Sequence, residues 1–183
     1  MESGNYSATK EAFDKEAQGG MFSKVMNTAD DLSLCYLSAI IKPEMKVLSC
    51  GAGFGNVIEK LDCHRYAIDI SEEMLKHCDI ENKQVANFDE IPFEDKYFDI
   101  VFGICAMQHS KNQQKTLKEW ERVAKKVVII DGDRESSIGK LREEEIKKGT
   151  WPTVGDAKWL SKEDFPDYEA NNLAPHIICL NKK

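Results

Sequence analysis

One stretch constrains this chain more than any other: Met45-Lys46-Val47-Leu48-Ser49-Cys50-Gly51-Ala52-Gly53-Phe54-Gly55-Asn56. Val47 to Cys50 reads as a short apolar strand. Glycines then occupy every second position, at 51, 53 and 55, and Val57-Ile58-Glu59-Lys60-Leu61 reads as the start of a helix running to about Asp62. Strand, glycine-rich turn and helix is how an α/β sheet opens a ligand crevice at its carboxyl edge. Glycine suits the turn because it admits positive φ and lets a ligand approach the backbone. Dinucleotide loops follow Gly-x-Gly-x-x-Gly. Here the third glycine comes one position early and Asn56 stands where that pattern needs glycine, which disfavours a nicotinamide dehydrogenase.

The remaining pattern alternates strands and helices. A helix is expected over Ala8–Gln18, ended by Gly19-Gly20. A second is expected over Leu32–Ile41, capped by Asp30 or Asp31 and closed by Pro43. Strands are expected at Lys46–Cys50, Arg65–Asp69, near Gln84–Phe88, at Phe98–Ile104 and at Lys126–Asp131. Ser71 is a ready N-cap for a helix ending near Cys78. Lys111–Val123 places Leu117, Trp120 and Val123 on one helical face. Arg134–Lys148 is a charged, solvated helix, and Gly149–Leu160 is irregular. His176–Asn181 closes the chain as a strand, with Tyr168–Leu173 able to pair with it. Alternation of this kind implies a parallel sheet with right-handed crossovers. Asp69 ends the second strand 69−51 = 18 positions after Gly51, near the ~20 at which nucleotide folds place an acid on the ribose.

Three ordered motifs carry a resemblance: the Gly-x-Gly-x-Gly turn, Tyr66-Ala67-Ile68-Asp69-Ile70-Ser71-Glu72-Glu73-Met74-Leu75, and Ile91-Pro92-Phe93-Glu94-Asp95-Lys96-Tyr97-Phe98-Asp99-Ile100-Val101. Together they resemble the class I S-adenosylmethionine (SAM) dependent methyltransferases, in their small-molecule, type 11 branch. The resemblance implies a Rossmann-like, doubly wound sheet of seven strands, mostly parallel with one antiparallel strand near the C-terminus. It implies a single domain over 1–183: a helical cover at 1–41, a SAM-binding core at 45–131, and a substrate-side cover with a closing hairpin at 134–183. It further implies methyl transfer from SAM to a small molecule by in-line displacement, leaving S-adenosylhomocysteine (SAH).

Carried onto this sequence, the cofactor residues are Ser49, Gly51, Ala52, Gly53, Gly55, Asp69, Ile70, Asn87, Phe88 and Ile104. Asp69 would accept from the ribose hydroxyls and Ile70 would pack on the adenine. The Asn87 amide oxygen would accept from the adenine amino group, with Asp89 as a substitute if the loop shifts, and Phe88 would offer its backbone N–H. Ser49 departs from the family, which commonly has Asp or Glu there to hold the methionine amino group. The amino group must then lean on carbonyls near Gly51 and Ile104, on water, or on another acid. A non-catalytic SAM-binding protein is therefore the alternative reading. His109 is the titratable group near the reacting edge suited to base work; the preferred reading is a histidine at a helix start, bonded to backbone. Gly103-Ile104-Cys105-Ala106 does not match the motif of amino-directed nucleic-acid methyltransferases. Trp151 and Trp159 are candidates for a substrate-pocket wall or a core cap.

Composition bounds the partners. Net charge is −7 and no Lys/Arg cluster stands clear of acids, so nucleic-acid binding is not expected. No apolar run reaches the ~18 residues of a membrane span. No basic-then-apolar leader opens the sequence, so a cytoplasmic protein is expected, with its six cysteines reduced. Those cysteines show no paired spacing, and no metal is expected. Oligomeric state is left open.

Overall fold

The structure, a computed structural model, describes residues 6–18, 27–149, 157–175 and 177–182. The elements in order are α1 (Ser7–Glu16), α2 (Asn27–Ile40), β1 (Lys46–Cys50), β2 (His64–Asp69), α3 (Glu72–Lys76), β3 (Asn82–Val85), β4 (Phe98–Ile104), α4 (Gln113–Val123), β5 (Ala124–Gly132), α5 (Ser137–Lys147), β6 (Tyr168–Ala174) and β7 (Ile177–Lys182). They form one seven-stranded sheet in the order β3-β2-β1-β4-β5-β7-β6. β1 to β5 pair in parallel, and β7 runs antiparallel to both β5 and β6. This is the doubly wound sheet with one reversed strand that the resemblance implies.

The central strands are apolar because both their faces are covered. On one face Leu48, Val101, Val127 and Ile129 pack with Leu117, Trp120 and Val123 of α4. On the other, Val47, Phe102, Val128 and Ile130 pack with Leu37 of α2. Trp120 is fully buried, and Gly103 makes room for it: a Cβ there would lie 2.4 Å from the indole. Truncating such a side chain to Ala costs about 3–5 kcal/mol. The indole N–H also donates to the Phe88 carbonyl at 3.1 Å, so core packing fixes the loop that follows β3.

Several boundaries differ from expectation. No α-helix follows the glycine turn; one 3-10 turn, Ile58–Lys60, stands there. β2 already starts at His64, whose N–H is taken by Met45 O at 2.9 Å, leaving no length for a longer helix. α2 starts at Asn27, so Asp30 lies within its first turn rather than ahead of it. β3 ends at Val85 rather than Phe88, because the Asn87 side chain accepts from Asp89 N at 2.9 Å and turns the chain. α4 and α5 begin two and three residues late, at Gln113 and Ser137. Asn112 and Ser136 cap them, accepting from Lys115 N at 3.0 Å and Gly139 N at 2.9 Å. The expected cap Ser71 does accept, from Met74 N at 3.1 Å. Gly19-Gly20, Trp151 and His176 lie outside the described residues.

Candidate active site

The strand order reverses between β1 and β4, and chains leaving neighbouring strands there diverge and open a crevice. A cavity of about 370 Å³ lies at this edge, lined by the glycine turn, the ends of β2 and β4, and side chains of α1 and α2.

One half of the cavity is built mainly from backbone. Gly51 and Gly53 have φ of +68° and +55°, values that cost an L-residue about 1–2 kcal/mol. A Cβ on Gly51 would lie 2.9 Å from the Ala106 Cβ, whereas one on Gly53 would meet nothing within 4 Å. That open space is cavity. Gly53 N–H donates to Asp69 Oδ2 at 2.9 Å, and Ser71 N–H to Asp69 Oδ1 at 2.8 Å. Asp69 is 8% exposed. Burial pushes its carboxyl above the ordinary range, against the pull of the Ser71, Gly53 and Ile70 N–H groups. Each oxygen retains acceptor capacity after one backbone bond. Asp69 is thus a buried brace between the glycine turn and α3, not a solvated residue at a helix start.

Ser49, Ala52, Ile70, Asn87, Phe88 and Ile104 line the same cavity. Gly55 does not. It is glycine for packing, since a Cβ would come 2.5 Å from Cys78 Sγ and 2.8 Å from Glu59 Oε1. Asp89 is also excluded: its carboxylate accepts from the Tyr6 and Thr116 hydroxyls, so the loop does not shift to bring it in. Asp30 lines the cavity and was not among the expected site residues. It accepts from Asn56 Nδ2 at 3.0 Å, and burial raises its carboxyl. Its sequence signal was misleading, because an acid before an apolar helix reads as a cap.

The other half is built from side chains. His109 sits on the 3-10 turn Met107–His109 after β4, with the Phe13 ring edge-on at 5.1 Å. Its Nδ1 is buried with no partner among the described residues, so the expected side-chain bond to backbone is not made there. Burial, then the charge of Arg142, lowers its pKa to about 4. Arg142 of α5 is 3% exposed and lies over the Trp159 ring at 5.0 Å. Asp131 is fully buried behind them, accepting from Gly132 N at 2.8 Å and Gln108 N at 3.1 Å; burial raises its carboxyl to about 7. Cys105 joins the halves with φ +50°, a conformation uncommon outside glycine. α1 and its N-cap residue Tyr6 span both: Asp14 accepts from the Ser71 hydroxyl at 2.5 Å, Tyr6 donates to Asp89, and Phe13 meets His109.

Residues 48–130 match a family model described as a methyltransferase domain. An uncharacterized protein of Methanocaldococcus jannaschii is 32% identical over 124 residues, covering 62% of this chain and 55% of that protein. A glycine/sarcosine/dimethylglycine N-methyltransferase of Actinopolyspora halophila is 30% identical over 101 residues, covering 46% of this chain and 18% of that one. The chain thus spans about half the length of the first of these relatives, and less of the second. A Thermotoga maritima structure, described as a SAM-dependent methyltransferase and possible histamine N-methyltransferase, superposes with a TM-score of 0.72 at 16% identity. That match covers 94% of this chain and 99% of the other, and shows the shared fold.

Proposed function

From the match of residues 48–130 to a methyltransferase-domain model, we propose a class I SAM-dependent enzyme of the type 11 branch that moves the SAM methyl group to a small-molecule acceptor. One observation carries this reading: the Gly53–Asp69 hydrogen bond at the β1/β4 reversal places a bare glycine backbone and a carboxylate with spare acceptor capacity in one cavity. These residues fit an adenosyl group. The space a Gly53 side chain would fill is open, and the carboxylate stands where ribose hydroxyls would need an acceptor.

In this assignment Gly51, Ala52 and Gly53 present backbone to the cofactor, and Asp69 accepts from the ribose. Ile70 packs on the adenine, and Asn87 with Phe88 meets its polar edge. Gly55 supports the turn from behind. Ser49 and Ile104 flank the methionine end. Ser49 carries no charge, so Asp30 is assigned as the acid that faces the cofactor's amino group.

When bound, SAM would supply a methyl group already activated on a sulfonium, open to in-line displacement by an acceptor lone pair with neutral SAH as the leaving group. The chain's task is alignment and exclusion of water. His109, neutral near pH 7 and weakly basic at a pKa of about 4, is ill-suited to general-base work. It serves as a wall and hydrogen-bonding group. Asp131 is occupied by backbone donors. A small-molecule acceptor is supported by the cavity's size, by α1 closing over it, and by relatives such as the glycine/sarcosine enzyme. The net charge of −7 argues against nucleic acid.

The experiment is a melting scan with SAM, SAH and NAD, followed by transfer of labelled methyl from SAM to a metabolite pool. SAM and SAH should raise the melting temperature by linkage; stabilisation by NAD alone would sink the assignment. Binding without label transfer would leave a non-catalytic SAM-binding protein.

A further inference from the structure

The acceptor half holds a cation for which the methyl transfer itself has no use. Arg142 is 3% exposed and lines the cavity. A buried guanidinium normally has a buried anion opposite it. Among the described residues the partners of Arg142 are the Ala157 carbonyl, accepting from Nη2 at 2.6 Å, and Glu143 Oε1 at 3.3 Å. The first is neutral. Glu143 has a side chain 38% exposed, where solvent screens most of the attraction. Asp131 is close enough to interact electrostatically with Arg142 but makes no ion pair with it among the described residues; its oxygens serve Gly132 N and Gln108 N. Beside Arg142, His109 Nδ1 is buried with no hydrogen-bond partner among the described residues.

The guanidinium is also held still. Trp159 lies under it at 5.0 Å and rests on Gly132, where a Cβ would come 2.3 Å from the indole. The segment carrying Ala157 and Trp159 is tied down by Lys158 N to Gln108 O at 2.7 Å and Leu160 N to Gly132 O at 3.0 Å. A fixed planar fork with an aromatic floor is suited to a planar, bidentate anion.

We infer that the methyl acceptor is a small carboxylic acid, with its carboxylate held by Arg142, its body against Trp159 and Phe13, and a polar group meeting His109. One guanidinium matches one negative charge, which favours a carboxylate over the nearly doubly charged phosphate monoester. The two halves then divide the charge: the Asp30 carboxylate for the cofactor's amino group, a guanidinium for the acceptor. This assignment rests on the methyltransferase reading, yet the anion site can be tested without turnover.

The test titrates the full chain, saturated with SAH, with benzoate, benzamide and phenyl phosphate, read by tryptophan fluorescence and calorimetry. Benzoate should bind at least tenfold more tightly than benzamide. Arg142→Gln should erase that preference while SAH affinity stays within threefold, and Arg142→Lys should restore part of it. Equal binding of benzoate and benzamide, no binding of either, or a preference that survives Arg142→Gln would overturn the inference. Tighter binding of phenyl phosphate than benzoate would replace carboxylate with phosphate. Should Arg142→Gln fail to fold, the benzoate–benzamide comparison in the parent decides alone. Failure of SAH to bind is seen before any probe is added and counts against the cofactor reading. The same titrations on the free protein then still decide whether Arg142 holds a carboxylate.

Discussion

The two halves of the cavity are made differently. The half assigned to the cofactor is a backbone device: two glycines at positive φ and one buried carboxylate that braces them, within the short stretch from β1 to α3. The acceptor half is a side-chain device. His109, Arg142 and Trp159 come from three separate segments, with Phe13 from the N-terminal helix and Asp131 fully buried behind the lining. A backbone site tolerates little change because its geometry is its function. A side-chain site can be rebuilt one residue at a time, which suits the half proposed to set the acceptor.

That difference predicts which substitutions hurt most. Gly53→Val should act hardest. A Cβ there points into open cavity and a β-branched residue is forced to φ +55°. SAH affinity should fall more than ~1,000-fold, about 4 kcal/mol, with a stability loss of only about 1–3 kcal/mol. Calorimetry and a melting scan separate the two; normal binding would mean the glycine turn does not hold the cofactor.

Asp69→Ala comes next. Ribose hydroxyls donating to a charged acceptor contribute about 1.5–3 kcal/mol each, so SAH affinity should drop roughly 30- to 1000-fold. Because Asp69 also receives Gly53 N and Ser71 N, the apo protein should lose about 1–3 kcal/mol as well. Asp69→Asn should lose less of both. An Asp69→Ala affinity within threefold of the parent would remove the ribose role and leave only the brace.

The acceptor half should show itself in pH rather than in cofactor affinity. Burial raises the Asp131 carboxyl to about 7 from an ordinary 3.8. The folded state then holds a proton the unfolded state has lost, so stability falls as pH rises from about 4 to 7. His109 runs the other way, lowered to about 4 from 6.5. The unfolded state binds the extra proton, and stability rises with pH from about 4 to 6.5. Each effect is on the order of 2–3 kcal/mol, and in the parent they oppose. Relative to the parent, Asp131→Asn should therefore gain stability as pH rises through this window, and His109→Gln should lose it. Denaturant midpoints at pH 4.5 and 7 provide the measurement, and parallel profiles would mean neither group is buried as described. His109→Gln should lower methyl transfer less than about tenfold, since a general base typically contributes 10²–10⁴.

What was legible in the sequence follows the same division. Gly51, Gly53, Asp69, Ile70, Asn87 and Phe88 lie in local motifs attached to predicted strand ends, and the structure brings them to one cavity. Gly55 shares the motif but is explained by its contact with Cys78, which no spacing reveals. Asp30 read as a helix cap because the start of α2 at Asn27 could not be seen in the sequence. Arg142 read as solvated because α5 is strongly charged. Only the tertiary placement of Ala157 and Trp159 over that helix makes it a buried cation. The parallel character of the sheet was legible from strand alternation, and the reversed strand only through the family resemblance; the strand order β3-β2-β1-β4-β5-β7-β6 is set by long-range pairing that no local signal carries.

The smallest expected effect tests whether α1 belongs to either half or merely covers both. Tyr6 is 5% exposed, donates its hydroxyl to Asp89, accepts from Lys111 N at 3.2 Å and meets Phe88 edge-on at 6.2 Å. Burial, then the bond to Asp89, pushes its phenol up to about 12, so it remains a donor at any ordinary pH. Tyr6→Phe keeps the ring contacts and removes only the hydroxyl. Asp89 would keep Thr116 as a donor, and Lys111 N would lose its recorded acceptor. The cost should be about 1–2 kcal/mol, or roughly 2–8 °C in melting temperature for a chain of this size. None of the lost bonds lies on the ribose or the glycine turn, so SAH affinity should fall less than about fivefold. If Tyr6→Phe instead weakens SAH as much as Asp69→Ala does, the helix is part of the cofactor site, and the division between a backbone half and a side-chain half fails at its roof.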